Sequence, residues 1–182
     1  MSKRKLIIIL IAIAISLVAT LVKVNAADYK VLKQEGRSCT VYAVETYIDI
    51  VGNPSKVGAK KAIKALRKDI GDVRNVINYY VSQGAITGFE KIDNIDEYIG
   101  DFPILVITWV DVNDWQDGDI TVPGMVFTDL HATVLIEKND EYYTGVNSWG
   151  TKWGYDGLYH LYSTIPIGSA YILTVPEAVI YQ

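Results

Sequence analysis

The chain is poor in cysteine and histidine. Cys39 is the only cysteine among 182 residues, and the two histidines are His131 and His160. One thiol cannot form a disulfide within the chain, so the fold must depend on its apolar core. Because 50% of the residues are hydrophobic and 21% are charged, the composition predicts one globular domain and excludes a disordered or fibrous chain.

Positive charge is scarce outside the N-terminus. Residues 1–26 hold four of the 17 Lys and Arg and none of the 21 Asp and Glu, so residues 27–182 carry 13 cations against 21 anions, a formal charge of −8. An acidic domain has no electrostatic reason to bind nucleic acid, which we exclude as a partner. The one cation-rich stretch, residues 55–68, is expected to be a solvated helix face, with an anionic membrane or partner as the alternative.

Only one long apolar run is present, over residues 6–22, and it follows the cations Lys3, Arg4 and Lys5. With the residues before Ala26, this pattern predicts a secretory signal peptide, residues 1–26, that is cleaved after Ala26. The run is at the lower limit for spanning a bilayer, so an uncleaved membrane anchor is the alternative. We expect residues 27–182 to be secreted or to enter the secretory-pathway lumen, or else to be anchored outside the cytoplasm.

Hydrophobic periodicity changes midway along the chain. Apolar residues recur at helical spacing in the first half, with Ser38 and Asp72 as helix starts, whereas short apolar runs dominate the second half. We predict helices over residues 38–51, 55–68, 72–83 and, briefly, 94–99, and strands over residues 104–110, 131–137, 142–146, 157–162 and 170–175. Helices first and strands later predict an α+β fold with a helical lobe and a sheet or barrel lobe.

Acidic residues are concentrated in a polar loop, residues 111–124. The loop contains Asp111, Asn113, Asp114, Asp117 and Asp119. They lack the alternate spacing and the terminal Glu of an EF-hand calcium loop. We therefore expect a solvated loop bordering a cleft rather than a calcium site, and we expect neither a metal nor a cofactor.

The predicted hairpin around Asn139 brings two functional side chains together. If the pairing is centred on Asn139, His131 lies directly opposite Asn147 and both point to the same face. The Asn147 side-chain oxygen can then accept a hydrogen bond from one imidazole nitrogen, which fixes the tautomer and leaves the other nitrogen for a thiol. The register alone thus pairs a base with a residue that orients it.

Cys39 has the surroundings of a nucleophile. It lies in the first turn of the predicted helix, where the helix N-terminus and an adjacent imidazolium both stabilise a thiolate. When that thiolate attacks an acyl carbon, the carbonyl oxygen becomes an oxyanion, which needs hydrogen-bond donors. The side-chain amide of Gln34 and the backbone N–H of Cys39 are the candidates.

Three segments together resemble the papain-like cysteine proteases (peptidase family C1). They are Gln34 with Gly-Arg-Ser-Cys at residues 36–39, Leu-His-Ala at residues 130–132, and Asn-Ser-Trp-Gly-Thr-Lys-Trp-Gly-Tyr-Asp-Gly-Leu-Tyr at residues 147–159. The resemblance implies a two-lobed α+β fold, with an N-terminal helical lobe, a C-terminal antiparallel β-barrel-like lobe and the active-site cleft between them. It also implies that residues 27–182 form a monomeric peptidase domain.

The resemblance further implies a role for each site residue. Cys39 would be the nucleophile, His131 the base and then the acid, and Asn147 its orienter. Gln34 would complete the oxyanion hole with the Cys39 N–H, and Trp149 would shield the Asn147–His131 hydrogen bond from water. Gly150, Gly154 and Gly157 would permit turns between strands, while His160 is expected to be structural.

Two classes of function remain open. The first is a peptidase, or a related acyl transferase, that acts on protein or peptide substrates through a Cys-His-Asn mechanism with an acyl-enzyme intermediate. The second is a papain-like binding or inhibitory pseudo-protease with little turnover. The complete Cys-His-Asn set favours the first class. The short Gln34 to Cys39 spacing, one residue below the family pattern, and Thr40 in place of an aromatic residue favour the second.

Overall fold

The structure, a computed structural model, describes residues 29–52, 57–111, 115, 117–120 and 129–176. The predicted signal peptide or anchor, Asn113 and Asp114 lie outside these ranges. Within them, the helices are all too short or too polar to traverse a bilayer.

Among the described residues, three α-helices form the helical lobe: α1 is Cys39–Ile50, α2 is Ala59–Leu66 and α3 is Val73–Ser82. The start of α3 follows its sequence signal, since Asp72 Oδ1 caps it by accepting the N–H groups of Arg74 and Asn75 at 2.8 and 3.2 Å. After Leu66, the predicted second helix tightens into a 3-10 turn, Arg67–Gly71. Apart from the buried Ala62, α2 is largely exposed, as expected for its cationic residues.

Seven strands form the sheet lobe. They are β1 Gly88–Ile92, β2 Ile104–Val110, β3 Asp119–Ile120, β4 Asp129–Lys138, β5 Tyr142–Val146, β6 Leu158–Tyr162 and β7 Ile167–Thr174. Their order is β1-β7-β2-β4-β5-β6-β3, and every pair is antiparallel except the short parallel pair β3–β6. The predicted segment at 94–99 is a single 3-10 turn, Ile95–Glu97. The predicted α+β architecture with two lobes is confirmed.

The sheet separates two hydrophobic cores. In β4, Ala132, Val134 and Ile136 pack in the core shared with the helices, whereas Leu135 packs in the core on the other face. Helix α1 is held against the sheet by Tyr47, whose hydroxyl donates to the Leu173 carbonyl at 3.1 Å and accepts from the Leu173 N–H at 3.0 Å. This attachment sets the position of the helix that begins with Cys39.

The predicted register of the β4–β5 hairpin is wrong by two residues. Val134 pairs with Val146, and a bulge interrupts the ladder between Leu135 and Glu137. Continuing this register past the end of β5 aligns Asn147 with Thr133 rather than with His131. The turn is centred beyond Asn139, since Lys138 pairs with Tyr143, and the bulge then shifts the pairing back by one residue. An offset of two keeps both side chains on the same face, so they remain diagonal neighbours.

Gly145 is required by the packing of a buried tyrosine. A Cβ atom at this position would overlap the ring of Tyr159, which is fully buried and hydrogen-bonded through its hydroxyl to Thr133 Oγ1 at 2.6 Å. We expect Gly145→Ala to lower the free energy of unfolding by about 2–3 kcal/mol through overpacking. Urea denaturation checks this, with Gly88→Ala as the control, because a Cβ there would meet only Thr174 at ordinary contact distance. Equal stability of the two variants would contradict the prediction.

Candidate active site

A cavity of about 700 Å³ lies between the two lobes. The helical lobe and the segment before it contribute Gln34, Cys39 and Thr40 to its wall, and the sheet lobe contributes His131 and Trp149. The structure therefore brings four of the five predicted site residues to one cavity. The fifth, Asn147, is fully buried behind His131.

Cys39 is the first residue of α1 and is partly exposed. Ser38 is at the N-cap position but does not cap the helix, because its hydroxyl donates instead to the Glu35 carbonyl at 2.6 Å. This bond closes the turn that contains Gly36, whose φ is +61°. Among the described residues, no hydrogen bond joins the Cys39 sulfur to His131, although both line the cavity.

His131 and Asn147 form the hydrogen bond expected from their pattern. His131 Nε2 lies 2.8 Å from Asn147 Oδ1, and the Ser148 N–H donates to the same oxygen at 2.7 Å. Because that oxygen accepts, Nε2 must carry the proton, which leaves Nδ1 as the basic nitrogen. The two-residue shift in register thus does not separate the pair.

Burial controls the charge of His131. The side chain is 4% exposed, and desolvation lowers the pKa of His131 to about 4, opposed by the Asn147 hydrogen bond and the negative charge of Asp129. A lone imidazolium is therefore disfavoured at neutral pH. An imidazolium at this position needs an anion beside it.

Aromatic rings enclose the imidazole. The ring of Trp149 lies 4.9 Å from that of His131, and the ring of Trp115 lies 5.4 Å away, edge to face. Trp115 is itself held by Trp153, whose indole N–H donates to the Trp115 carbonyl at 2.9 Å. Sequence reasoning missed Trp115 because it considered only the acidic residues of that loop. The one feature of the sequence that could have identified Trp115 is that it is a large apolar residue in a polar segment.

Gln34 is connected to the His131–Asn147 pair through Ser148. The Gln34 N–H donates to the Ser148 carbonyl at 2.7 Å, and Gln34 Oε1 accepts from Ser148 Oγ at 2.6 Å. Gln34 Nε2 donates one hydrogen to the Gly36 carbonyl at 2.8 Å, so its second hydrogen remains available. Ser148, which the sequence did not single out, holds both Gln34 and Asn147.

Asp119 of the acidic loop and His160 bind each other, and neither lines the cavity. Asp119 Oδ1 lies 2.9 Å from His160 Nδ1, and its other oxygen accepts from the Tyr155 hydroxyl at 2.7 Å. The His160 ring stacks between Tyr142 and Tyr155, with centroids 4.0 and 4.7 Å away. Within the described ranges, no three His, Cys, Asp or Glu side chains are grouped as metal ligands.

Comparison with known proteins identifies the fold. No family model and no curated protein matches the chain, but many solved structures do. The Carica candamarcensis cysteine protease CMS1MS2, in complex with E-64, is 16% identical, with a TM-score of 0.67 over 82% of this chain and 94% of that one. The bromelain protease from Ananas comosus, in complex with the E64 inhibitor, is 13% identical, with a TM-score of 0.66 over 84% and 96%.

Xylellain, a cysteine protease from Xylella fastidiosa, is 16% identical, with a TM-score of 0.67 over 81% of this chain and 83% of that one. These structural similarities and the two lobes define an α+β fold with a cleft between a helical lobe and a sheet lobe. Within that class, the chain has the papain-like fold of the cysteine proteases that it resembles.

Proposed function

We propose that residues 27–182 form a cysteine peptidase domain that hydrolyses peptide bonds. The observation that carries this proposal is the His131–Asn147 hydrogen bond at the cavity that Cys39 also lines. A thiol, an imidazole and an orienting amide in that order are the components of a thiolate nucleophile with a general base. The papain-like fold, shared with known cysteine proteases, supports the same conclusion.

The cost of burying Asn147 also supports a functional role. Its side chain is fully buried, and its Nδ2 has no hydrogen-bond partner. An unsatisfied buried donor costs about 1–3 kcal/mol. The orientation persists because His131 and Ser148 both donate to Oδ1. The same two bonds hold Asn147 so that its oxygen faces the imidazole, as the proposed mechanism requires.

The proposed reaction begins with transfer of the Cys39 thiol proton to His131 Nδ1. The thiolate compensates the imidazolium that burial would otherwise disfavour, so the two charges form together. The sulfur attacks the substrate carbonyl carbon, and the carbonyl oxygen becomes an oxyanion held by Gln34 Nε2 and the Cys39 N–H.

The oxyanion intermediate then collapses and breaks the peptide bond. His131 returns its proton to the leaving amine, and the acyl group stays on Cys39 as a thioester. Water, deprotonated by His131, hydrolyses the thioester and releases a carboxylic acid and the free thiol. Trp149 and Trp115 limit the access of water to the imidazole throughout.

Gln34→Glu tests the oxyanion hole. The glutamate keeps an oxygen for Ser148 but replaces the amide donor with an anion, so we expect kcat to fall by on the order of 100-fold or more, with little change in KM. Ser148→Ala is the matched control, because it removes the support of Gln34 but keeps the donor, and its effect should be smaller. Steady-state kinetics on one fluorogenic peptide measures both variants. If Gln34→Glu kept the wild-type kcat, groups other than the Gln34 amide would have to donate hydrogen bonds to the oxyanion.

A binding or inhibitory pseudo-protease is the second candidate. Two observations favour it: Gln34 Nε2 is already bonded to the Gly36 carbonyl, and the Cys39 sulfur has no hydrogen bond to His131 among the described residues. Such a protein would keep a ligand cleft without efficient turnover. It would bind peptides equally well with Cys39 or with serine at that position, and it would release no products.

We propose a monomer that acts on protein or peptide substrates, without a cofactor, after export directed by residues 1–26 as a signal peptide or anchor.

Cleavage of a mixed peptide library tests the proposed function. Residues 27–182 are incubated with the library, and new peptide termini are identified by mass spectrometry. Termini that appear with the wild-type domain and not with Cys39→Ala support the peptidase, whereas no new termini with either protein would refute it.

A further inference from the structure

Among the residues that the structure describes, four charged side chains line the cleft around Cys39 and His131: Arg37, Asp72, Arg74 and Asp129. Their formal charges cancel. Their free donors and free acceptors are not equal in number, because the carboxylates and the guanidinium groups differ in how many of their polar atoms already have partners.

The two carboxylates already accept hydrogen bonds from the protein. Asp72 Oδ1 caps α3 by accepting two backbone N–H groups, while its Oδ2 has no partner among the described residues. Asp129 Oδ2 is bonded to the Arg37 guanidinium at 2.7 Å, and its Oδ1 accepts the Leu130 N–H at 3.0 Å. At Asp129, an incoming cation would have to compete with these bonds.

The two guanidinium groups have donors to spare. Arg37 uses one of its terminal nitrogens on Asp129 and is 86% exposed, and a guanidinium has five N–H donors. The Arg74 side chain is exposed and has no hydrogen bond or ion pair with any residue that the structure describes. Most of the unpartnered polar atoms of these four side chains are therefore donors, and the ligand group that matches them is a carboxylate.

The position of this ion pair connects it with the reaction. Arg37 precedes Cys39 by two residues and Asp129 precedes His131 by two, so their 2.7 Å contact joins the two sides of the cleft beside both reacting side chains. Val73, Ile107 and Ala132 line the same cavity. A substrate group with a short apolar stem and a terminal carboxylate can therefore contact apolar side chains with its stem and guanidinium donors with its carboxylate.

We propose that this part of the cleft binds a carboxylate of the peptide substrate through Arg74 and the free donors of Arg37. The inference rests on the proposed peptidase function and names a substrate preference of the same site. The carboxylate comes either from an acidic side chain or from the C-terminus of the peptide, which present the same chemistry to a guanidinium.

The preference for a carboxylate depends on its position in the peptide, because the net charge of the domain disfavours acidic peptides in general. Residues 27–182 carry a formal charge of −8, which repels acidic peptides at long range. A carboxylate is therefore favoured only where it reaches Arg74 and Arg37. One glutamate at the right position accelerates cleavage, and glutamates elsewhere do not.

A positional scan tests the proposal. A peptide with one cleavable bond carries a single Glu at each position in turn, with Gln and Lys at the same positions as matched peptides, and each is made with a free and with an amidated C-terminus. We expect kcat/KM for Glu to exceed that for Gln by about tenfold at one position. The ratio should fall to about one in Arg74→Gln and keep its wild-type value in Lys64→Gln, which removes an exposed cation outside the cavity.

The outcomes separate this inference from the function on which it rests. If peptides with a free C-terminus are cleaved about tenfold faster than their amidated forms whichever residue is scanned, the carboxylate is the C-terminus; if Glu exceeds Gln at one position with either terminus, it is a side chain. Equal kcat/KM for Glu and Gln at every position together with equal kcat/KM for free and amidated peptides, faster cleavage of the Lys peptides, or a preference unchanged by Arg74→Gln would overturn the inference and leave the peptidase intact. Absence of cleavage of every peptide would refute the peptidase itself.

Discussion

Replacing Cys39 with serine is expected to lower kcat/KM for peptide hydrolysis by about 10⁴-fold or more, because no other thiol exists in the chain to form the acyl-enzyme. Serine is nearly the same size as cysteine, but its hydroxyl does not ionise as a thiol does, so His131 cannot generate the nucleophile. Steady-state cleavage of a fluorogenic peptide measures the loss.

The fold of Cys39→Ser should be intact. Cys39 is partly exposed at the cavity and belongs to no disulfide, so urea denaturation should give a free energy of unfolding close to that of the wild type. A variant that is folded and retains a tenth of the wild-type activity would exclude Cys39 as the nucleophile. A variant that is folded and inactive supports that role.

Replacing His131 with glutamine is expected to lower kcat by about 10³-fold, with a change in KM of only a few-fold. The glutamine amide can still bond to Asn147, but it cannot accept the thiol proton or return it to the leaving amine. The residual rate should rise steadily with pH, because only thiolate formed by bases in solution reacts. The wild type should instead reach a plateau.

His160→Gln is the matched control for that experiment. His160 is the only other histidine, and it stacks between Tyr142 and Tyr155 without lining the cavity. We expect its kcat to stay within a few-fold of the wild type. Equal losses in the two variants would indicate a general effect on stability rather than a specific role for His131.

The elements that the sequence predicts well are those with strong local signals. Strand β2 has the predicted bounds, Ile104–Val110, because a run of apolar residues interrupted only by Thr108 can be recognised without knowing its partner strands. The start of α3 follows from Asp72, whose side chain caps it. The local sequences around Cys39 and His131 predicted that both residues belong to one site, and both line the cavity.

The elements that the sequence did not predict depend on distant contacts. Strand β1 exposes the side chains at its centre, and it exists as a strand because it pairs with β7, far along the chain. The bulge in β4 has no recognisable local signal, so a regular register was assumed. The contact of Trp115 with His131 and the bonds of Ser148 to Gln34 arise only from tertiary packing.

The rate at which a thiol-directed probe labels Cys39 tests the central claim most directly. Cys39 is the only cysteine, so every adduct seen by mass spectrometry reports on it. If His131 activates the thiol, iodoacetamide at mildly acidic pH should label the wild type on the order of 100-fold faster than His131→Ala. Equal, slow labelling of the two proteins would show that Cys39 is an ordinary thiol and would contradict the proposed peptidase.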